Sequence, residues 1–103
     1  MNFQTYLSTL TEAKAELDID SLVKTINRMT ERNDHTGSVM KLAEFLKAKQ
    51  HIKILTGIKM MQDGYGHMPS QLSELREYER KELMKQVEDE YGKVVADKIN
   101  SAF

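Results

Sequence analysis

The side chains with the widest chemical range in this sequence are three histidines, His35, His51 and His67, spaced sixteen residues apart. Imidazole titrates near neutral pH and is the commonest metal ligand, so each invites a catalytic or metal-binding reading. A helical metal site brings two ligating side chains within one turn of each other, and no two of these histidines are that close in the chain. His35 and His67 fall in stretches rich in turn formers and are expected to be solvated there. Asp63-Gly64-Tyr65-Gly66 is glycine-rich, but it lacks the Lys-Ser/Thr ending and the preceding strand that aim backbone amides at a phosphate. It reads as a helix-breaking connector. Carboxylates crowd the last third of the chain at Glu74, Glu77, Glu79, Glu82, Glu88, Asp89 and Glu90. They alternate with Arg76, Arg80, Lys81 and Lys85 at three- and four-residue spacing, the pattern of a solvated, salt-bridged helix face. No two acids form an evident acid/base couple, and no Ser-His-Asp arrangement supplies a nucleophile. The chain is therefore expected to be non-enzymatic, with no catalytic, cofactor-binding or metal-ligating residue and no cofactor.

Charge offers one further kind of chemistry. Between residues 39 and 62, Lys41, Lys47, Lys49, Lys53 and Lys59 stand against the single acid Glu44, a net charge of +4. These five lysines are a candidate basic patch, which could follow a phosphate backbone while Phe45 or His51 stacked on bases. Lys41, Lys53 and Lys59 do not share one tight helix face with Lys47, however. Residues 70–98 carry a net charge of −2, so the plainer reading is attraction between two long helices. Nucleic acid is the least favoured partner.

The elements that would position these groups are helical. Forty per cent of the residues are hydrophobic and thirty per cent charged, and the chain has one proline among its 103 residues, values ordinary for a helical protein. Seven methionines suit irregular core gaps or adaptable contact surfaces. With no cysteine, disulfides and thiol chemistry are excluded, which fits a reducing compartment. No apolar run approaches the length of a membrane span, so no membrane partner is expected.

Ile19, Leu22, Val23, Ile26 and Met29 have helical spacing behind a cap at Asp18 or Asp20, and Asn33-Asp34-His35-Thr36-Gly37 should end that helix near Arg32. Ser38 then caps a second helix running through Val39, Leu42, Phe45, Leu46, Ile52, Leu55, Ile58 and Met61. Its apolar residues spread over more than one stripe, as in a helix with two neighbours. Gly57 inside it costs about 1 kcal/mol of helix propensity relative to Ala, which a close helix crossing or a kink would explain. After the break at residues 63–69, Ser70 caps a long helix through Leu72, Leu75, Tyr78, Leu83, Met84, Val87, Tyr91 and Val94, interrupted at Gly92. Met84, Val87, Tyr91 and Val94 step like a short coiled-coil seam. The expected fold is all-α: an antiparallel helical hairpin, 38–62 against 70–100, with a shorter N-terminal helix at 19–32 packed across it. Two long helices leave apolar surface that one short helix does not cover, so a homo-oligomer is expected.

The first thirteen residues stand apart. They carry one charge, Glu12, and an apolar stripe of Phe3, Tyr6, Leu7 and Leu10 that ends in Leu10-Thr11-Glu12-Ala13. Without a basic start or an unbroken apolar core, this segment is not expected to act as a secretory signal. A protease that reads an aliphatic residue, any residue and then Glu, with a small residue beyond the cut, would find its requirements at Leu10, Glu12 and Ala13. Leu42-Ala43-Glu44-Phe45, Leu72-Ser73-Glu74-Leu75 and Leu75-Arg76-Glu77-Tyr78 share the Leu-x-Glu part but are followed by bulky residues.

In these features the segment resembles the capsid-targeting peptides of T4-like tailed bacteriophages. Those are short amphipathic leaders of the form Met-Lys-Thr-Phe/Tyr-x-x-Phe/Leu-x-x-Glu-Ala, cut after Glu by the prohead protease. Phe3, Thr5, Tyr6 and Leu7 supply the similar face, while Asn2 departs from the usual Lys and the leader is a residue or two longer. The resemblance covers about an eighth of the chain. It implies a small phage protein packaged in the virion head as an internal or core component, processed at Leu10, Glu12 and Ala13. Its partners would be head or core proteins and the prohead protease. The domain organisation that follows is a leader at 1–13 and a single helical domain at 14–103. In the alternative reading residues 1–13 are an N-terminal helix of the domain, and the protein is a helical interaction module that binds a host protein in the host cytoplasm.

Overall fold

The computed structural model describes residues 18–65 and 69–103, so the expectations for residues 1–13 and for His67 lie outside the described residues. Five helices follow one another: α1 over 18–31, α2 His35–Phe45, α3 Lys49–Tyr65, α4 Ser70–Tyr91 and α5 Lys93–Asn100. No strand occurs among the described residues.

Helix α1 forms on the expected spacing and buries Ile19, Leu22 and Ile26. It closes with Asn33 in the left-handed region, φ 61°. There the Asn33 N–H donates to the Thr30 carbonyl at 3.0 Å and the Asp34 N–H to the Met29 carbonyl at 2.9 Å. These two bonds satisfy carbonyls that a helix end otherwise leaves open, and Asn tolerates the conformation they require. Asp34 then starts α2 directly, its carboxylate accepting from the Gly37 N–H at 3.0 Å. The cap is thus Asp34 rather than Ser38, which is buried and donates its hydroxyl to the His35 carbonyl at 2.7 Å. Gly37 leaves room for the carboxylate where it sits. A Cβ there would lie 2.3–2.8 Å from the Asp34 carboxyl group.

The segment expected as one helix through 39–61 is two. Helix α2 ends as α1 does, with Lys47 at φ 57°, its N–H on the Glu44 carbonyl at 3.1 Å and the Ala48 N–H on the Ala43 carbonyl at 2.9 Å. The chain reverses over Leu46, Lys47 and Ala48 and lays α3 back along α2. The far ends meet through the Thr36 hydroxyl, donating to Gln62 Oε1 at 3.2 Å, and the Lys59 ammonium, 3.4 Å from Asp34 Oδ2.

Helix α4 packs on both α2 and α3, so the expected hairpin of 38–62 against 70–100 is met in part, with each of its two arms divided into two helices. Leu55 and Ile58 of α3, Leu42 of α2 and Leu83 and Val87 of α4 belong to one buried cluster. Gly92, at φ 92°, is the single residue between α4 and α5, capping the end of one and the start of the other. The expected seam through Met84, Val87, Tyr91 and Val94 is therefore split. Val87 is buried, Tyr91 stacks against Phe45 with ring centroids 5.6 Å apart, and Val94 lies on α5, mostly exposed. Helix α5 folds back with Ala96 and Ile99 inward. Thr30 on α1 donates to the Ala102 carbonyl at 3.4 Å, and Lys98 pairs with Asp20, so the N-terminal helix lies against the last one. Arg80 ties the C-terminus to α4, donating to Asn100 Oδ1 at 2.6 Å and holding its guanidinium 5.6 Å from the Phe103 ring centre.

Two outcomes follow. Lys47 bears a side chain in a conformation that costs an L-residue roughly 1–2 kcal/mol. Lys47→Gly should raise stability by about 0.5–1 kcal/mol after the extra entropy of the unfolded glycine is subtracted, read as a higher Tm. The hydrogen bond from Lys98 and its nearby charge hold the Asp20 carboxyl below its ordinary value of 3.8. Because the folded-state value is the lower one, the contribution is present above that ordinary value and is lost as pH falls through the folded value. Asp20→Asn should remove this acid-side slope from the stability curve, lowering stability at neutral pH and leaving it unchanged in acid below the folded-state value.

Candidate interaction surface

The histidine that the sequence leaves without a role, His51, is the one that the fold uses. From the third position of α3 its Nδ1 meets Glu79 Oε2 on α4. Glu79 is 4% exposed, the most buried charged residue among those described. Burying a carboxyl group is costly unless a partner satisfies it, so this pair fixes where α3 sits against α4. Nothing in the local sequence announces it. The two residues are 28 apart, and Glu79 belongs to a run of acids of which most are exposed. His35 is the exposed first residue of α2 and does not approach His51 within any hydrogen bond or ion pair. Among the described residues, no group of three or more metal-ligating side chains converges.

The five lysines of the candidate basic patch are dispersed over two helices and a turn. Lys41 pairs with Glu44 on α2 at 3.2 Å, Lys59 reaches Asp34 at 3.4 Å, and Lys47 occupies the connection. Lys49 and Lys53 remain exposed on α3. On α4, Arg80 and Lys85 pair with Glu77 and Glu82 at 3.0 and 3.4 Å, the ladder expected of that face.

What distinguishes α3 is the apolar surface it shows to solvent. Ile54 is 40% exposed, Met60 70% and Met61 51%. Gly57, Met60, Met61 and Gly64 line an open cleft along the helix. Among the described residues a Cβ built on Gly57 or Gly64 meets nothing within 4 Å, so no described helix crosses closely at Gly57, and α3 runs through it without a break. On α4, Leu75 and Tyr78 are also exposed. Ile54 lies three residues after His51, and Leu75 four before Glu79. Helical periodicity places both beside the α3–α4 seam, on its solvent side. Among the described residues no helix is long and apolar enough to cross a membrane.

The buried pair has a measurable signature. Truncating one member leaves the other buried without its partner, whereas replacing both with apolar groups of similar shape does not. His51→Leu should cost roughly 2–4 kcal/mol of unfolding free energy, and Glu79→Met added to it should recover most of that loss in denaturant titrations. No known protein family, curated protein or solved structure matches the chain.

Proposed function

We propose that this chain is a non-enzymatic helical protein of a tailed phage, carried into the assembling head by residues 1–13 and separated from them by cleavage after Glu12. The observation that carries this reading is where the Leu-x-Glu patterns fall. Leu42-Ala43-Glu44-Phe45 lies in α2 and the two patterns between Leu72 and Tyr78 lie in α4, whereas Leu10-Thr11-Glu12-Ala13 lies outside the described residues. A helical segment must open locally before a protease can take it, and Leu42 is moreover fully buried in the core. A protease of this specificity is therefore disfavoured at those three patterns, each also followed by a bulky residue, which leaves the one followed by Ala13. Beyond residue 13 the chain carries fifteen positive and fifteen negative side chains, a balance suited to contact with proteins rather than condensation of DNA. The use of His51, Glu79 and Arg80 in holding helices together supports a structural role for the groups that could otherwise do chemistry.

A second reading, a module that binds a host protein, draws on the exposed methionines of α3, since flexible thioethers adapt to varied partners. Co-expression with the prohead protease of a T4-like phage separates the two. The first reading expects a product twelve residues shorter with Ala13 as its new N-terminus by mass spectrometry, and an intact chain for Glu12→Ala. An intact wild-type chain beside an active protease, or continued cutting of Glu12→Ala, defeats it.

A further inference from the structure

We propose that Met60 and Met61 form a reversible oxidation site on α3, where a peroxide turns the outer face of the helix from apolar to polar while the core stays packed. Ile58 is buried, and a residue two further on stands about 200° round the helix, so Met60 points away from the core. Met60 is 70% exposed and Met61 51%. On a helix a side chain is screened mainly by the residues three and four away, above all by those of the turn before it. For both methionines Gly57 holds one such place on the preceding side and Gly64 one on the following side. A Cβ at either glycine would meet nothing within 4 Å among the described residues. The two thioethers therefore stand over bare backbone, in the open cleft that these four residues line. The other described methionines, Met29, Met40 and Met84, are half-buried, the last two against the core.

The chemistry needs only the thioether and the peroxide. A sulfur lone pair attacks one peroxide oxygen, the O–O bond breaks as the S–O bond forms, a proton passes to the departing oxygen, and water leaves. Sulfur loses two electrons and the peroxide gains them. The product, methionine sulfoxide, is polar and chiral, and sulfoxide reductases restore the thioether. In a core such a group disrupts packing, whereas on Met60 and Met61 it meets water. Ile54, Met60 and Met61 are the exposed large apolar side chains described on α3, so two oxidations remove most of the apolar character of that face. The inference requires no partner on this face and is independent of where in a phage or host the protein works.

The full-length chain is treated with hydrogen peroxide under native conditions, and oxygen uptake at each methionine is followed by peptide mass spectrometry. Met60 and Met61 should be oxidised at least about fivefold faster than Met29, Met40 and Met84. The chain oxidised at both should keep its helical circular dichroism and Tm, elute earlier in hydrophobic-interaction chromatography, and return to its first position after reductase treatment. Met60→Leu with Met61→Leu should lose most of that shift, which separates it from oxidation elsewhere. Gly57→Leu, which places a side chain in the open space beside both sulfurs, should slow both oxidations at least about threefold. The proposal is overturned if Met29, Met40 or Met84 reacts as fast, if the first two sulfoxides lower Tm, or if neither the retention nor the effect of Gly57→Leu appears. It is overturned equally if Met60 and Met61 react quickly only after residues 1–13 are removed, which would make the face a covered one.

Discussion

Three helices depend on Asp34. Its N–H closes α1 on the Met29 carbonyl, its carboxylate caps α2 at Gly37, and the same carboxylate receives Lys59 from α3. A three-residue connection between helices leaves little freedom, because the last carbonyls of one helix and the first amides of the next must be satisfied by the same few atoms. The absence of a Cβ at Gly37 is what permits the carboxylate to sit where all three demands are met. The directions of α1 and α2 are set there, and with them the surface on which α3 folds back.

A second constraint acts along the hairpin. Leucines and isoleucines on facing helices can interdigitate in more than one register, since each turn presents a similar row. The Glu79 carboxyl is less tolerant. A slip of one turn would still bury aliphatic side chains but would take Glu79 away from His51 and leave it without an imidazole to meet. The pair contributes little to cohesion beyond what apolar residues would give, and more to the choice of one alignment. That alignment in turn brings Ile54 and Leu75 to the same side of the seam.

The helices were legible wherever punctuation was strong. Asn33 and the turn formers after it, Gly92, and the glycines and proline between residues 63 and 69 all mark breaks that the structure has or adjoins. The reversal at 46–48 was not legible, because the left-handed position is held by Lys47, a good helix former with no turn signature, and the apolar period runs straight through it. Ser38 looked like a cap because serine caps helices well, but Asp34 stood four residues earlier with a glycine at the right distance. Gly57 suggests a close contact, and none of the described residues makes one. The His51–Glu79 pair shows the general limit. A contact between elements is written in no spacing within either one, and only the fold brings the two residues together.

The contacts that join α1 to α5 span more of the chain than any others described, 78 residues for Asp20 with Lys98 and 72 for Thr30 with Ala102. The α2–α3 pair closes through a three-residue turn, and α4 meets α5 across a single glycine. Loop closure costs entropy that rises with the length enclosed, so local pairs can form before the ends find each other. Docking of α1 is then the late event of folding and its release the early event of opening. The amides of α1 would exchange with solvent ahead of those in α2 and α4, making the N-terminal helix the part of the domain that gives way first to a pull on the chain before it.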